Sequence, residues 1–296
     1  AIQPMVDSGQ IKVVDMAWDG QFEEELRDFP FYKHDDQVDA MTQALLHTSN
    51  LGINFGAFAA VSGITLSLMP GQRQALIGPN GAGKTSLINL LTGVYKPSTG
   101  DIFLAGENIN TLSFDARVRK GLVRTFQLNT LCLGMTPLDT LLMTLMEREH
   151  KGLVWWKPMY QFDALRMEAM QLLAQVGLQG VEHHLVGELA YGKQRLLEIA
   201  LALALKPKVL LLDEPAAGIP EGESDEVFHV IEQLPATMSV VFIEHDMDLV
   251  FHFAQRIAVL VAGKIIVDGT ANEIIDHPQV REAYLGADFC AKGKSL

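Results

Sequence analysis

Cysteine is scarce in this chain, and so are uninterrupted apolar runs and positive charge. The 296 residues include two cysteines, Cys132 and Cys290, which lie far apart and outside any metal-binding spacing. We therefore expect a reducing compartment and no disulfide framework. The richest apolar stretch, 196–212, is interrupted by charged residues and proline, which excludes a membrane-spanning helix there. No secretory signal is visible, so we expect a cytosolic protein that reaches a membrane only through a partner.

The shortage of positive charge bears on the class of partner. Lys and Arg number 23 against 36 Asp and Glu, for a formal net charge of −13. Phosphate contacts along nucleic acid require clustered Lys and Arg, so we expect no nucleic-acid partner. An apolar fraction of 48% with 20% charged residues is typical of a globular protein. The length predicts one large domain or two small ones.

The segment 78–85 is the strongest chemical signal in the sequence. It follows an apolar run typical of a buried strand (74–77) and precedes residues with helical spacing (86–91). This is the G-x-x-x-x-G-K-[ST] phosphate-binding loop in its strand–loop–helix context. Its glycines let backbone N–H groups surround phosphate oxygens, and the helix N-terminus adds partial positive charge. The predicted nucleotide-binding residues here are Gly78, Asn80, Gly81, Ala82, Gly83, Lys84, Thr85 and Ser86.

Specific roles follow for two of these side chains. We expect Lys84 to reach the β- and γ-phosphates of a nucleoside triphosphate, where it acts in catalysis. We expect the Thr85 hydroxyl to bind Mg²⁺. The sequence therefore predicts binding of a nucleoside triphosphate with magnesium.

A second apolar run ends in two acids. Residues 209–212 have the pattern of a buried parallel strand, and Asp213 and Glu214 follow directly. Asp213 is expected to hold Mg²⁺ through water, and Glu214 is a candidate general base for the attacking water. Another such strand, 239–243, precedes His245, which is either a γ-phosphate contact or a surface histidine.

Several weaker positions keep two interpretations on residue type alone. Phe55 precedes a predicted strand and is placed either to stack on adenine or to pack in a core. The glycine-containing turn 189–195 opens a helix and is either an anion site or an ordinary cap. Trp155 and Trp156 interrupt a mostly helical region and either face a partner or fill a local core. Thr136, followed by proline and aspartate, predicts a helix start.

Taken in order, these motifs resemble the ATP-binding cassette of ABC transporters from about residue 53 to 286. The resemblance implies an α/β P-loop NTPase fold with a mixed sheet core, an antiparallel β subdomain and a helical subdomain at about 130–186. It implies ATP hydrolysis with ATP and Mg²⁺. The site residues it assigns are Phe55 at the aromatic position, Gln127 in catalysis and at Mg²⁺, Ala190, Tyr191 and Gly192 in the signature, Asp213 at Mg²⁺, Glu214 as catalytic base and His245 as switch histidine.

Within that family, residues 189–200 and 214–220 look most like the ATPase subunits of branched-chain amino acid importers. Urea and short-chain amide importers are close relatives, and a soluble ABC ATPase is a further alternative. The resemblance implies a second ABC ATPase subunit, identical or different, which pairs with this one. It also implies membrane permease subunits docked on the helical region, and a periplasmic solute-binding protein that acts indirectly. We therefore expect peripheral attachment at the cytoplasmic face of the inner membrane.

The signature departs from the common Leu-Ser-Gly-Gly-Gln. Ala190 replaces the serine whose hydroxyl contacts the γ-phosphate, and Tyr191 and Lys193 replace glycine and glutamine. One lost hydroxyl contact weakens a site by about 1 kcal/mol. In a heterodimer the two ATP sites are then expected to be unequal.

Residues 1–50 read differently from the cassette at 51–290 and the tail at 291–296. The segment 34–45 has the pattern of one amphipathic helix whose aspartates either cap it or pair on a metal. Residues 20–46 resemble the C-terminal end of the nuclease domain of phage terminase large subunits. The rest of that nuclease is missing, so we expect a fused remnant or an artefact of the reading frame, and a nuclease is the least favoured function.

Overall fold

The computed structural model describes residues 43–125, 131–150, 163–219 and 224–280. These residues form two compact units. The first comprises residues 43–72, 78–113 and 258–280, and the second comprises residues 73–77 and 114–257. Within the described ranges no helix has the length and apolar character that crossing a bilayer requires.

The strands are β1 (Leu46–Phe55), β2 (Phe58–Leu68), β3 (Arg73–Ile77), β4 (Thr99–Leu104), β5 (Glu107–Asn108), β6 (Leu122–Arg124), β7 (Val209–Asp213), β8 (Ser239–Ile243), β9 (Arg256–Val261) and β10 (Lys264–Gly269). The helices are α1 (Lys84–Thr92), α2 (Phe114–Arg119), α3 (Pro137–Arg148), α4 (Asp163–Gln175), α5 (Tyr191–Ala204), α6 (Ser224–Glu232), α7 (Met247–Phe253), α8 (Ala271–Asp276) and α9 (Pro278–Val280), with a 3₁₀ turn at Val186–Glu188.

The first unit is built on an antiparallel sheet in the order β2-β1-β4-β5. In the last part of β2, Ile64, Leu66 and Leu68 are buried and alternate with more exposed residues, as expected of a strand with one face on a core and one toward water. Gly56, with a φ of +61°, lies in the short connection between β1 and β2. A positive φ suits glycine because it has no Cβ to clash with the backbone. The predicted antiparallel β subdomain is thus present.

Strand β1 crosses the boundary predicted between residues 50 and 51. Leu46, its first residue, pairs with Leu68 of β2 and with Leu104 of β4. Buried polar residues interrupt the apolar pattern of this strand in the sequence. Thr48 donates its hydroxyl proton to the Ile64 carbonyl, and His47 is hydrogen-bonded to a serine. Residues 1–42 of the predicted extension, and the tail 291–296, lie outside the described residues.

The second unit carries a parallel sheet in which β6, β7, β8 and β3 are successive neighbours. The strands predicted at 209–212 and 239–243 are confirmed as β7 and β8, and their apolar residues are buried. Ile243 pairs with Leu76 on one side and Asp213 on the other. The carboxyl ends of β3, β7 and β8 therefore meet at one edge, where ligands of open α/β sheets bind.

Helices α3, α4 and α5 pack on one another in the second unit. The predicted start of α3 is confirmed: the Thr136 hydroxyl oxygen accepts the Asp139 N–H at 3.1 Å, and Pro137 opens the helix. This cap satisfies one of the N–H groups that a helix start leaves unpaired. Trp155 and Trp156 lie outside the described residues.

Candidate functional site

The predicted phosphate-binding loop lies in the first unit and leads into α1. Its backbone takes left-handed conformations at Gly81 and Gly83, with φ values of +79° and +106°. The Lys84 side chain is buried and folds back over the loop. Its ammonium donates to the Gly78 carbonyl at 2.7 Å and to the Pro79 carbonyl at 3.1 Å. The lysine that the sequence assigns to the phosphates is therefore held at the loop.

Two glycines of this loop leave no room for a side chain. A Cβ on Gly78 would lie 2.1 Å from the Leu260 carbonyl oxygen, and one on Gly83 would lie 2.4 Å from the Ala60 carbonyl oxygen. Both contacts are with backbone atoms, which cannot move aside cheaply. The result is a concave, side-chain-free backbone at a helix N-terminus. Such a cradle fits a phosphate chain.

Phe55 ends β1 in the first unit, and its exposure separates the two interpretations of this residue. The residue is 47% exposed and makes an edge contact with Tyr95, with ring centroids 5.3 Å apart. A core phenylalanine would be fully enclosed, so the core alternative fails. An exposed aromatic face is the property that stacking on a base requires.

In the second unit, Asp213 ends β7 and faces a partner that the sequence did not suggest. Arg124, the last residue of β6, donates from Nη2 to Asp213 Oδ2. The two side chains are only 14% and 15% exposed, so the pair is largely removed from water. The sequence alone assigned no role to Arg124. Its signal is positional, because it ends the strand that neighbours the acid-tipped one.

Glu214 and His245 are in direct contact in the second unit. Nε2 of His245 lies 2.8 Å from Oε1 of Glu214. A carboxylate oxygen accepts and a protonated ring nitrogen donates, so the contact is a hydrogen bond when Nε2 carries a proton. The side chains are 41% and 43% exposed, and water therefore reaches both groups. Glu214 has a φ of +51°, a conformation that non-glycine residues rarely adopt and that functional sites often hold.

The signature residues open α5, also in the second unit. Ala190 is the N-cap and supplies no side-chain hydrogen bond, because alanine has no acceptor. A Cβ on Gly218 would lie 3.3 Å from the Tyr191 hydroxyl, so Tyr191 rests against the turn that follows Glu214. The Arg195 guanidinium lies 5.9 Å from the Tyr191 ring centre. The signature and the Glu214 turn are therefore neighbours within this unit.

Arg195 continues inward to a buried acid that the sequence did not single out. It donates from Nη1 to Oε2 of Glu198 at 2.7 Å, and Nη2 lies 3.4 Å from the Glu214 carbonyl oxygen. Burial raises the pKa of Glu198 to about 7, against the lowering effect of Arg195. Oε1 of Glu198 has no hydrogen-bond partner. No local pattern marks Glu198, since it sits in an apolar helix.

Two of the three predicted magnesium ligands have the chemistry that magnesium bound with a nucleotide needs. Within the described ranges no group of three or more His, Cys, Asp or Glu side chains could hold a metal ion. Mg²⁺ bound with a nucleotide needs only one or two protein oxygens, because phosphates and water supply the rest. Thr85 and Asp213 carry such oxygens, and Gln127, the third predicted ligand, lies outside the described residues.

Comparison with known proteins gives a consistent result. The ABC transporter family model matches residues 61–217, and the model of the branched-chain amino acid ATP-binding cassette transporter matches residues 264–290. The high-affinity branched-chain amino acid transport ATP-binding protein BraF of Pseudomonas aeruginosa is 40% identical, over 83% of this chain and 99% of that protein. LivG of Escherichia coli K12, with the same description, is 39% identical over 83% and 99%.

A solved structure gives the same answer for the fold. The ADP conformation of an ATP-binding cassette of an ABC transporter matches with a TM-score of 0.73 and 31% identity, over 83% of this chain and 100% of that one. The α/β cassette fold expected from the motifs is thereby confirmed. With a family model over more than half its residues and relatives matched along almost their whole length, the chain belongs to the ABC transporter family, as one of its ATP-binding cassettes.

Proposed function

We propose that this chain is the ATP-hydrolysing subunit of an ABC importer for branched-chain amino acids. The observation that carries the proposal is the 40% identity to a branched-chain amino acid transport ATP-binding protein along 99% of that protein's length. The Glu214–His245 contact at the carboxyl edge of the parallel sheet supports the hydrolytic part. The cassette itself is an ATPase domain.

We assign two tasks to the residues of the site, which are binding ATP and activating the attacking water. The loop glycines and the Lys84 ammonium bind the phosphates of ATP, and Phe55 stacks on the adenine. Glu214 accepts the proton of the attacking water as general base. His245 orients that carboxylate through the 2.8 Å contact of its Nε2, and once ATP is bound the same ring donates to the γ-phosphate instead. The predicted magnesium ligands Thr85, Asp213 and Gln127 would hold the ion, which would supply positive charge to the phosphates of ATP.

We further propose partners and a location. A second cassette, identical or different, pairs with this chain, and membrane permease subunits dock on its helical region. A periplasmic solute-binding protein delivers the cargo to those permeases. The chain then works as a peripheral protein at the cytoplasmic face of the inner membrane. BraF and LivG are transport ATP-binding proteins, which supports association of this chain with a membrane.

The hydrolytic roles are tested with purified chain and two substitutions. Glu214→Gln is expected to lower ATP turnover by at least about 100-fold, because it removes the base. ATP affinity should persist in that variant. Lys84→Ala is expected to weaken ATP binding itself by about 10-fold or more, since a charge-assisted contact is lost. Undiminished turnover in Glu214→Gln would remove this residue from its role.

The cargo is tested in proteoliposomes that contain the chain, its permeases and its solute-binding protein. ATP-driven uptake of labelled leucine, isoleucine or valine supports the branched-chain proposal. Uptake of urea or a short amide instead would establish the neighbouring importer class. ATP hydrolysis that no permease stimulates would favour a soluble ABC ATPase.

The resemblance of residues 20–46 to terminase nucleases remains a prediction. The two family matches cover residues 61–217 and 264–290, and neither includes this segment. We propose that it is a fused remnant without nuclease activity. Metal-dependent cleavage of DNA by the purified chain would reverse that view.

A further inference from the structure

A buried carboxylate lies directly behind the Glu214–His245 pair. Glu244 is the residue between β8 and His245, and only 4% of it is exposed. Both of its oxygens accept backbone N–H groups. Oε1 accepts from Ala216 at 2.9 Å, and Oε2 accepts from His245 at 3.1 Å. We call this arrangement the Glu244 bridge.

The bridge joins two segments that are far apart in sequence. Ala216 belongs to the turn that begins at Glu214, and His245 follows β8. The same two segments are tied at a second point, because the Glu214 N–H donates to the Ile243 carbonyl at 3.0 Å. Their side chains meet at a third point, in the Glu214–His245 contact. The backbone around both reacting groups is therefore held from behind by one carboxylate.

The surroundings of Glu244 disfavour the charged form of its carboxyl group. Burial raises the pKa of its carboxyl, and the nearby Glu214 carboxylate acts in the same direction. The two backbone donors and the His245 ring oppose that shift. A buried carboxyl with no task beyond filling space would be replaced more cheaply by an apolar side chain. Its two carboxylate oxygens accept from two backbone N–H groups, and an apolar side chain would leave both of those donors without an acceptor.

Glu244 is badly placed to serve as a base itself. Its oxygens are occupied by backbone donors and are shielded from water, whereas Glu214 is exposed. From this geometry we infer that Glu244 is a positioning residue, whose carboxylate fixes the Glu214 turn and His245 relative to each other so that their side chains meet. The inference rests on the hydrolytic role proposed for Glu214.

The test compares Glu244→Gln with a matched control, Glu226→Gln. Glutamine keeps the shape of Glu244 but retains only one acceptor oxygen, so one backbone N–H faces an amide donor. Glu226 is an exposed residue of α6 in the same unit, so its substitution makes the same charge change away from the bridge. Three quantities are measured: kcat for ATP, the ATP dissociation constant, and the amide resonances of Ala216 and His245 after selective ¹⁵N-alanine and ¹⁵N-histidine labelling.

We expect Glu244→Gln to lower kcat by about 10-fold or more, because small displacements of reacting groups are costly. The ATP dissociation constant should change by less than about twofold, since both Glu244 oxygens accept backbone N–H groups and neither is assigned to ATP. The amide resonances of Ala216 and His245 should both shift. Glu226→Gln should leave all three quantities unchanged. An unchanged kcat with only a lower unfolding midpoint would overturn the inference, because a purely structural role predicts that result.

Two further variants separate the possible failures. Glu214→Gln tests the base alone: if it loses turnover while Glu244→Gln does not, the bridge is refuted and the proposed function stands. If Glu214→Gln keeps its turnover, the hydrolytic role fails, and the amide shifts still report whether the bridge forms. If Glu244→Gln does not fold, Glu244→Asp replaces it, since one lost methylene pulls the carboxylate from both donors. An Asp variant with the kcat of the parent chain would refute the bridge equally.

Discussion

Glu198 offers a quantitative test, because its burial changes how strongly it binds a proton. The carboxyl is 1% exposed, and burial raises its pKa from 4.5 to about 7. Between these values the folded chain carries a proton on Glu198 that the unfolded chain has released. Stability therefore falls as pH rises through this window, and the loss is complete above the folded pKa.

The size of this loss follows from the shift. One pKa unit corresponds to about 1.4 kcal/mol, so the full shift is worth about 3 kcal/mol, of which about 2.5 kcal/mol falls between pH 5 and pH 8. Glu198→Gln removes the titrating group and nearly keeps its shape. The stability of the variant relative to the parent should therefore improve by about 2.5 kcal/mol on going from pH 5 to pH 8.

Urea unfolding followed by far-ultraviolet circular dichroism measures both proteins at both pH values. The variant also leaves Arg195 without its carboxylate partner, but Arg195 stays charged at both pH values. The free-energy cost of this lost pairing is therefore the same at pH 5 and pH 8, and it does not contribute to the change between the two pH values. A stability difference that is the same at pH 5 and pH 8 would refute the raised pKa and the burial argument behind it.

Four further substitutions test single features of the fold. Ala190→Ser adds the missing N-cap acceptor to α5 and should raise the free energy of unfolding by about 1 kcal/mol, whereas no change would mean that the cap does not form. Gly78→Ala should lower the free energy of unfolding by about 2 kcal/mol or more and abolish ATP binding, because the new Cβ clashes with the Leu260 carbonyl oxygen. Gly81→Ala is the control: its Cβ meets nothing within 4 Å, so it should lower the free energy of unfolding by only about 1 kcal/mol. Arg124→Met should cost about 3 kcal/mol in urea unfolding, because it leaves Asp213 unpaired, and a neutral result would show that the pair is solvated.

The parts of the fold that are written locally in the sequence were predictable. The strands β7 and β8 are continuous apolar runs, and the glycine spacing of the phosphate loop has one structural meaning. The start of α3 follows from Thr136 and the proline after it, because capping needs only neighbouring residues. The ABC transporter family follows from the order of such motifs.

The remaining features depend on pairings between distant segments. Arg124 and Asp213 meet only because β6 and β7 are adjacent and in register, and no local pattern encodes that register. Glu244 and Ala216 meet for the same kind of reason across β7 and β8. Strand β1 was harder to locate because His47 and Thr48 interrupt its apolar alternation, and their partners lie on β2.

At position 214 the left-handed backbone makes stability and turnover favour different residues. At a φ of +51° a glycine would relieve about 1 kcal/mol of conformational strain, so thermostability screening of random variants should enrich Glu214→Gly. Selection for ATP turnover should remove the same variant. The identity of residue 214 therefore indicates whether a population of these chains has been selected for stability or for turnover.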